Sequence, residues 1–151
     1  SGLLAAFDLR TGERVWTQEV GGLHTPWVAG DYLFMVSTDA EVIALDRHNG
    51  QIRWISELPA FRNADRRKNR IAWAGPIMAG GRLVLASSSQ TGRSIPLLPD
   101  GSANGQLVLL DASTGERIGD RSLPGATYIP PIIANETVYV LDDGGRLTAF
   151  R

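Results

Sequence analysis

Short apolar runs recur along the chain, each four to seven residues long and each closed by Gly, Pro, Asn or Asp. That pattern predicts strands rather than helices, and no window carries an apolar stripe at 3.6-residue spacing for more than two turns. Thirteen strands follow. They are Leu3–Asp8, Glu13–Glu19, Pro26–Ala29, Tyr32–Ser37, Ala40–Asp46, Gln51–Glu57, a strand opening within Gly75–Gly81, Arg82–Ser87, Gln106–Asp111, Arg117–Leu123, Ile129–Ala134, Thr137–Leu141 and Arg146–Phe150. The middle strands (YLFMV, VIAL) are apolar almost without interruption, as expected for strands covered on both faces.

The strands belong to a repeat. AFDLRTGERVW at Ala6–Trp16 returns as ALDRHNGQIRW at Ala44–Trp54 and as LLDASTGERIG at Leu109–Gly119, with a shortened echo, LTAFR, at Leu147–Arg151. In each full copy an apolar run leads into Asp8, Asp46 or Asp111. Four residues later comes Gly12, Gly50 or Gly115, and Trp16 and Trp54 close the first two copies. The Asp can accept backbone N–H groups two and three residues on, and the Gly supplies the positive φ of a tight turn. Asp8 and Asp46 lie 38 residues apart, while Asp46 and Asp111 lie 65 apart, one period plus an insertion. A period near 40 with four strands per unit predicts an all-β chain built of β-propeller blades of four antiparallel strands, about three to four blades in all.

On this reading residues 1–20 end one blade, residues 25–57 form the next, residues 75–123 form a third with an inserted loop, and residues 129–151 start a fourth. The chain begins and stops inside strand patterns, which predicts a piece of a longer protein with open blade edges that another copy could cover. Two stretches interrupt the repeat. Ala60–Trp73 is strongly basic, and Ser88–Asn104 is rich in Ser, Gly and Pro and predicts an extended surface loop.

Composition narrows the function. A net charge of −1 argues against a nucleic-acid partner. The absence of Cys removes disulfides, thiolate metal sites and a cysteine nucleophile. No apolar run approaches the length of a membrane-spanning helix. Candidate chemistry is sparse. Asp8, Asp46 and Asp111 recur at one repeat position and read as turn caps rather than acid/base pairs or metal ligands. Asp46–Gly50 begins like a calcium loop but lacks its further ligands. His24 and His48 have no metal-ligand spacing. Asp142–Gly145 reads as a hairpin turn, Asn135–Thr137 as a weak glycosylation sequon, and Ser87–Ser89 as a loop without a catalytic elbow.

The exception is the basic stretch. Arg62, Arg66, Arg67, Lys68 and Arg70 stand against Asp65 alone, five of the fifteen Lys and Arg residues, and Phe61 and Trp73 flank them. Arg mixed with aromatic rings is the composition of interface hot spots. Phe61, Arg62, Arg66, Arg67, Arg70 and Trp73 are therefore candidate partner-binding residues.

The repeat fits the tryptophan-docking motif of quinoprotein-type propellers, Ala-x-Asp-x-x-Thr-Gly-x-x-x-Trp, at Ala6, Asp8, Thr11, Gly12 and Trp16. The second copy has Asn49 for Thr, and the third has Leu109 for Ala and Gly119 for Trp. The resemblance implies that each Trp packs between adjacent blades, so the third blade, with Gly119 for Trp, should dock less tightly on its neighbour. The stretch from Thr25 to Trp54, the basic loop and Ile71–Ser88 together resemble the BamB-like outer-membrane assembly lipoproteins. That resemblance implies a non-catalytic periplasmic scaffold associated with the outer membrane. Its protein partner would be the central subunit of the β-barrel assembly machinery, and its membrane association would run through a lipid anchor outside this stretch. It implies no cofactor, and it carries over the loop region but no individual contact residues. Two rival readings stay open: part of a quinone-dependent (PQQ) dehydrogenase, against which the missing Cys counts, and a generic ligand- or protein-binding propeller. Fold alone does not separate them.

Overall fold

The computed structural model describes residues 2–89 and 104–151. Fifteen strands are present among them: β1 (Leu4–Phe7), β2 (Arg14–Gln18), β3 (Trp27–Ala29), β4 (Tyr32–Val36), β5 (Glu41–Asp46), β6 (Ile52–Glu57), β7 (Phe61–Asn63), β8 (Lys68–Arg70), β9 (Trp73–Ala79), β10 (Arg82–Ser87), β11 (Gln106–Asp111), β12 (Arg117–Ser122), β13 (Ile132–Ala134), β14 (Thr137–Leu141) and β15 (Leu147–Phe150). Two sheets have four strands in simple meander order, β3-β4-β5-β6 and β9-β10-β11-β12. A two-stranded sheet, β1-β2, precedes them and a three-stranded sheet, β13-β14-β15, follows. All pairings are antiparallel. The fold is a partial β-propeller.

The continuous apolar runs are explained by alternation between two seams. On β4 and β5, Met35, Ile43 and Leu45 pack toward Leu4 and Val20 of the preceding unit. Their neighbours Phe34, Val36, Val42 and Ala44 face the other way, onto Leu83, Leu85, Val108 and Leu110 of the next sheet. On β10 and β11 the alternate set, Val84, Ala86 and Leu107, packs against Val138, Val140 and Phe150. Successive side chains of a strand point to opposite faces, so the inner strands of a sheet sandwiched between two others are apolar on both faces. Each Val, Leu, Ile, Phe or Met side chain so removed from water contributes about 1.5–3 kcal/mol.

One backbone tie recurs in each unit. The N–H groups of Thr38, Ser88 and Asp143, each just after the second strand, donate to the carbonyls of Gly21, Ala72 and Ala126, at 2.8, 2.9 and 2.9 Å. Ala40, at φ 63°, occupies the turn position that Gly145 fills at φ 78° in the last sheet.

Three expectations need correction. The basic stretch is not a plain interruption: it forms the hairpin β7-β8 between the two four-stranded sheets, which raises the strand count from thirteen to fifteen. The strand expected from Ile129 starts at Ile132, because Pro130 and Pro131 lack the N–H groups that a ladder needs. Of the expected loop Ser88–Asn104, Ser88 and Ser89 are buried, and residues 90–103 lie outside the described residues.

Candidate partner-binding face

The turns of the repeat are built alike. Asp8 Oδ1 accepts the N–H groups of Arg10 and Thr11 at 2.8 and 2.9 Å. Asp46 Oδ1 accepts that of His48 at 2.9 Å, and Asp111 Oδ1 accepts those of Ser113 and Thr114 at 2.8 and 3.1 Å. Gly12, Gly50 and Gly115 sit at φ 75°, 73° and 75°, and their N–H groups close the turns onto the same Asp carbonyls. The pKa of all three carboxyls is held below the usual carboxylate range. The largest cause is the Thr11 N–H for Asp8, the Arg53 guanidinium at 2.7 Å for Asp46, and the Ser113 hydroxyl for Asp111. These carboxylates are spent on their own turns. Among the described residues no group of three His, Cys, Asp or Glu side chains comes together to hold a metal.

The turns also receive the tryptophans. The indole N–H of Trp16 donates to the Arg47 carbonyl at 2.8 Å, and that of Trp54 donates to the Ala112 carbonyl at 3.2 Å. Each ring covers a turn glycine of the next sheet: a Cβ built on Gly50 would come within 2.5 Å of Trp16, and one on Gly115 within 2.6 Å of Trp54. At the third seam Gly119 takes the Trp position, and a cleft of about 640 Å³ opens there, bounded by Val84, Leu109, Gly119, Val138 and Phe150.

The hairpin β7-β8 holds the basic cluster. Phe61 pairs with Arg70 and Asn63 with Lys68. The four-residue connection is tightened by Asn63 Oδ1, which accepts the Arg66 N–H at 3.0 Å, and by positive φ at Arg67 (49°); Asn69, within β8, also has positive φ (58°). Arg67 lies over the Phe61 ring, 5.5 Å from its centre. Arg70 donates to the Thr38 carbonyl and ties the hairpin to the preceding sheet. Arg62, Arg66, Arg67, Lys68 and Arg70 are exposed. Among the described residues, no carboxylate lies within ion-pair distance of any of them.

Five of the six candidate residues therefore come together: Phe61, Arg62, Arg66, Arg67 and Arg70. Trp73 does not join them. It is buried with Leu58, Ile71 and Leu83, and its indole N–H donates to the Pro59 carbonyl at 2.9 Å, so its ring belongs to the core between sheets. Sequence reasoning also passed over a pocket of about 570 Å³ at the foot of the hairpin, lined by Leu23, Val36, Ile71, Trp73, Arg70 and Tyr128 among others. Its wall comes from four separate connections, and no local pattern announces such a convergence.

Comparison with known proteins agrees with this architecture. The family model described as outer membrane protein assembly factor BamB matches residues 1–56 and 63–151. A protein named outer membrane protein assembly factor BamB from Marinobacter adhaerens is 25% identical over 159 aligned residues, covering 99% of this chain and 33% of its own length. The chain spans about a third of the length of the curated relatives it matches. The crystal structure of BamB from Moraxella catarrhalis superposes with a TM-score of 0.69 at 19% identity, over 99% of this chain and 44% of that one. Quinohemoprotein alcohol dehydrogenase from Comamonas testosteroni superposes with a TM-score of 0.67 at 17% identity, over 91% of this chain and 26% of that one. At such identities the two structures bear on the fold alone.

Proposed function

Because the chain belongs to the BamB family of outer-membrane protein assembly factors, we propose that it serves as a non-catalytic scaffold in the periplasm, at the outer membrane. Its partner on this reading is the central subunit of the machinery that assembles β-barrel proteins, met through the loops of the propeller. The hairpin Phe61–Arg70 is the leading contact. One observation carries this reading: five exposed cations are gathered on one short hairpin with no carboxylate of their own within ion-pair distance among the described residues. A chain of net charge −1 concentrates its positive charge where an acidic surface can meet it, and Arg is suited to pairing carboxylates in bidentate fashion. The dehydrogenase likeness is one of fold, and propellers host unrelated functions.

The experiment is capture of the purified central subunit by the immobilised chain. Changing Arg62, Arg66 and Arg67 together to Ser should weaken capture at least tenfold, while the melting temperature falls by no more than the small amount that the exposed Arg67–Phe61 contact supplies. Arg70 is left in place because it bonds the Thr38 carbonyl. Capture unchanged by the triple substitution overturns the reading.

A further inference from the structure

The hairpin and the pocket at its foot form one composite surface. The pocket, of about 570 Å³, has an apolar floor of Val36, Ala40, Ile71 and Trp73 and a polar rim that includes His24, Thr38 and Arg70. Arg70 belongs to both features: it ends β8, and its side chain reaches the Thr38 carbonyl on the pocket rim. That bond uses one donor of a guanidinium that carries five, so others remain for a carboxylate. Each hairpin strand is about 10 Å long at ~3.3 Å per residue, so the cations lie within a few residues' reach of the pocket. A flat anionic surface would meet the cations and leave the concave apolar floor unused. A lone phosphate would need donors converging on one point, whereas these are spread over both strands and the turn of the hairpin. Charge complementarity with a concave apolar neighbour fits an extended peptide.

Building on the partner-binding role assigned above to the hairpin, we propose that the element recognised is a short acidic peptide segment with a single large aliphatic or aromatic side chain. The acidic residues pair with Arg62, Arg66, Arg67 and Lys68, and the apolar side chain enters the pocket over Ile71 and Trp73. Apolar anchors in pockets supply the affinity of such interfaces, and the surrounding charges supply orientation and rate.

The probe is a fluorescein-labelled peptide of Asp and Glu with one Leu at its centre, compared with the same peptide carrying Ser in place of Leu. Binding to the full chain is followed by anisotropy. The Leu peptide should bind at least tenfold more tightly than the Ser peptide. Ala72→Glu and Ala72→Trp should each remove that difference, because Ala72 is exposed and lines the pocket, so a charge or a bulky ring there blocks it. Melting temperatures of both variants report that they fold, and the two substitutions act by different means. Equal binding of the two peptides, failure of both to bind, or indifference to both Ala72 variants overturns the proposal. So does binding to vesicles of anionic lipid when neither peptide binds. None of these results touches the hairpin reading, which stands or falls on capture of the central subunit by the Arg62, Arg66 and Arg67 variant.

Discussion

Trp16 lies over Gly50 of the neighbouring sheet and donates its indole N–H to the Arg47 carbonyl, 2.8 Å away. One residue thus fills the seam, satisfies a turn carbonyl and requires a glycine beneath it. Trp54 repeats the arrangement over Gly115.

Three glycines with nearly the same φ separate the two demands on them. Gly12 has open space where a Cβ would go, while Gly50 and Gly115 have an indole ring there. Gly12→Ala should cost about 1 kcal/mol, the penalty of a Cβ in the left-handed region. Gly50→Ala and Gly115→Ala should cost roughly 2–4 kcal/mol, because the ring must also move. Urea unfolding of the three variants checks this, and equal losses would mean that the rings contribute little at these seams.

The seam beside Gly119 lacks a tryptophan, and its cleft should make β13–β15 the first unit to open. Amide hydrogen exchange in β14 should report a lower opening free energy than in β4 or β10. Gly119→Trp introduces a Cβ that meets nothing within 4 Å, and it should slow exchange in β14.

Trp73→Phe keeps an aromatic ring but orphans the Pro59 carbonyl, which now accepts the indole N–H at 2.9 Å. A loss of about 1 kcal/mol is expected for a part-buried hydrogen bond, with capture of the central subunit unchanged at temperatures where the variant is folded. Unchanged stability would mean that the Pro59 carbonyl finds another donor.

Acid should destabilise the chain through its turns. The folded pKa values of Asp8, Asp46 and Asp111 lie below the usual carboxylate range, the first because of the Thr11 N–H, the second because of Arg53, the third because of the Ser113 hydroxyl. A carboxyl lowered on folding contributes stability above its unfolded pKa and loses it as pH falls through the folded one. The contribution is therefore constant at neutral pH, begins to decline as pH enters the usual carboxylate range, and is gone below the folded pKa values. Replacing all three by Asn retains a capping oxygen, so urea midpoints measured from neutral pH into acid should fall less steeply for the triple variant.

The repeat was legible because Asp, Gly and Trp recur at fixed offsets, and Arg82–Ser87, Gln106–Asp111 and Thr137–Leu141 form strands with the boundaries that the apolar runs predict. The β7-β8 hairpin was not legible. Its strands FRN and KNR have no apolar alternation. They are held by the Ile71 N–H to the Ala60 carbonyl, by Arg67 over Phe61 and by Arg70 on Thr38. Trp73 was legible only in part: beside a run of Arg it looks like a hot-spot ring, whereas tertiary packing buries it in the core between sheets, where it also lines the pocket. The second role of Gly50 and Gly115, as seats for a ring, belongs to a contact across about 30 residues in one case and 60 in the other, whereas turn rules speak only of neighbours.

The tryptophan device points one way along the chain. Trp16 grips the sheet that follows it, Trp54 grips the next, and at Gly119 the grip lapses. Units that hold only their successors behave as links in series. Pulled from its two ends, such a molecule would not yield at random: it would part beside Gly119 and shed β13–β15 as a single piece, leaving the two tryptophan-locked joints still under load.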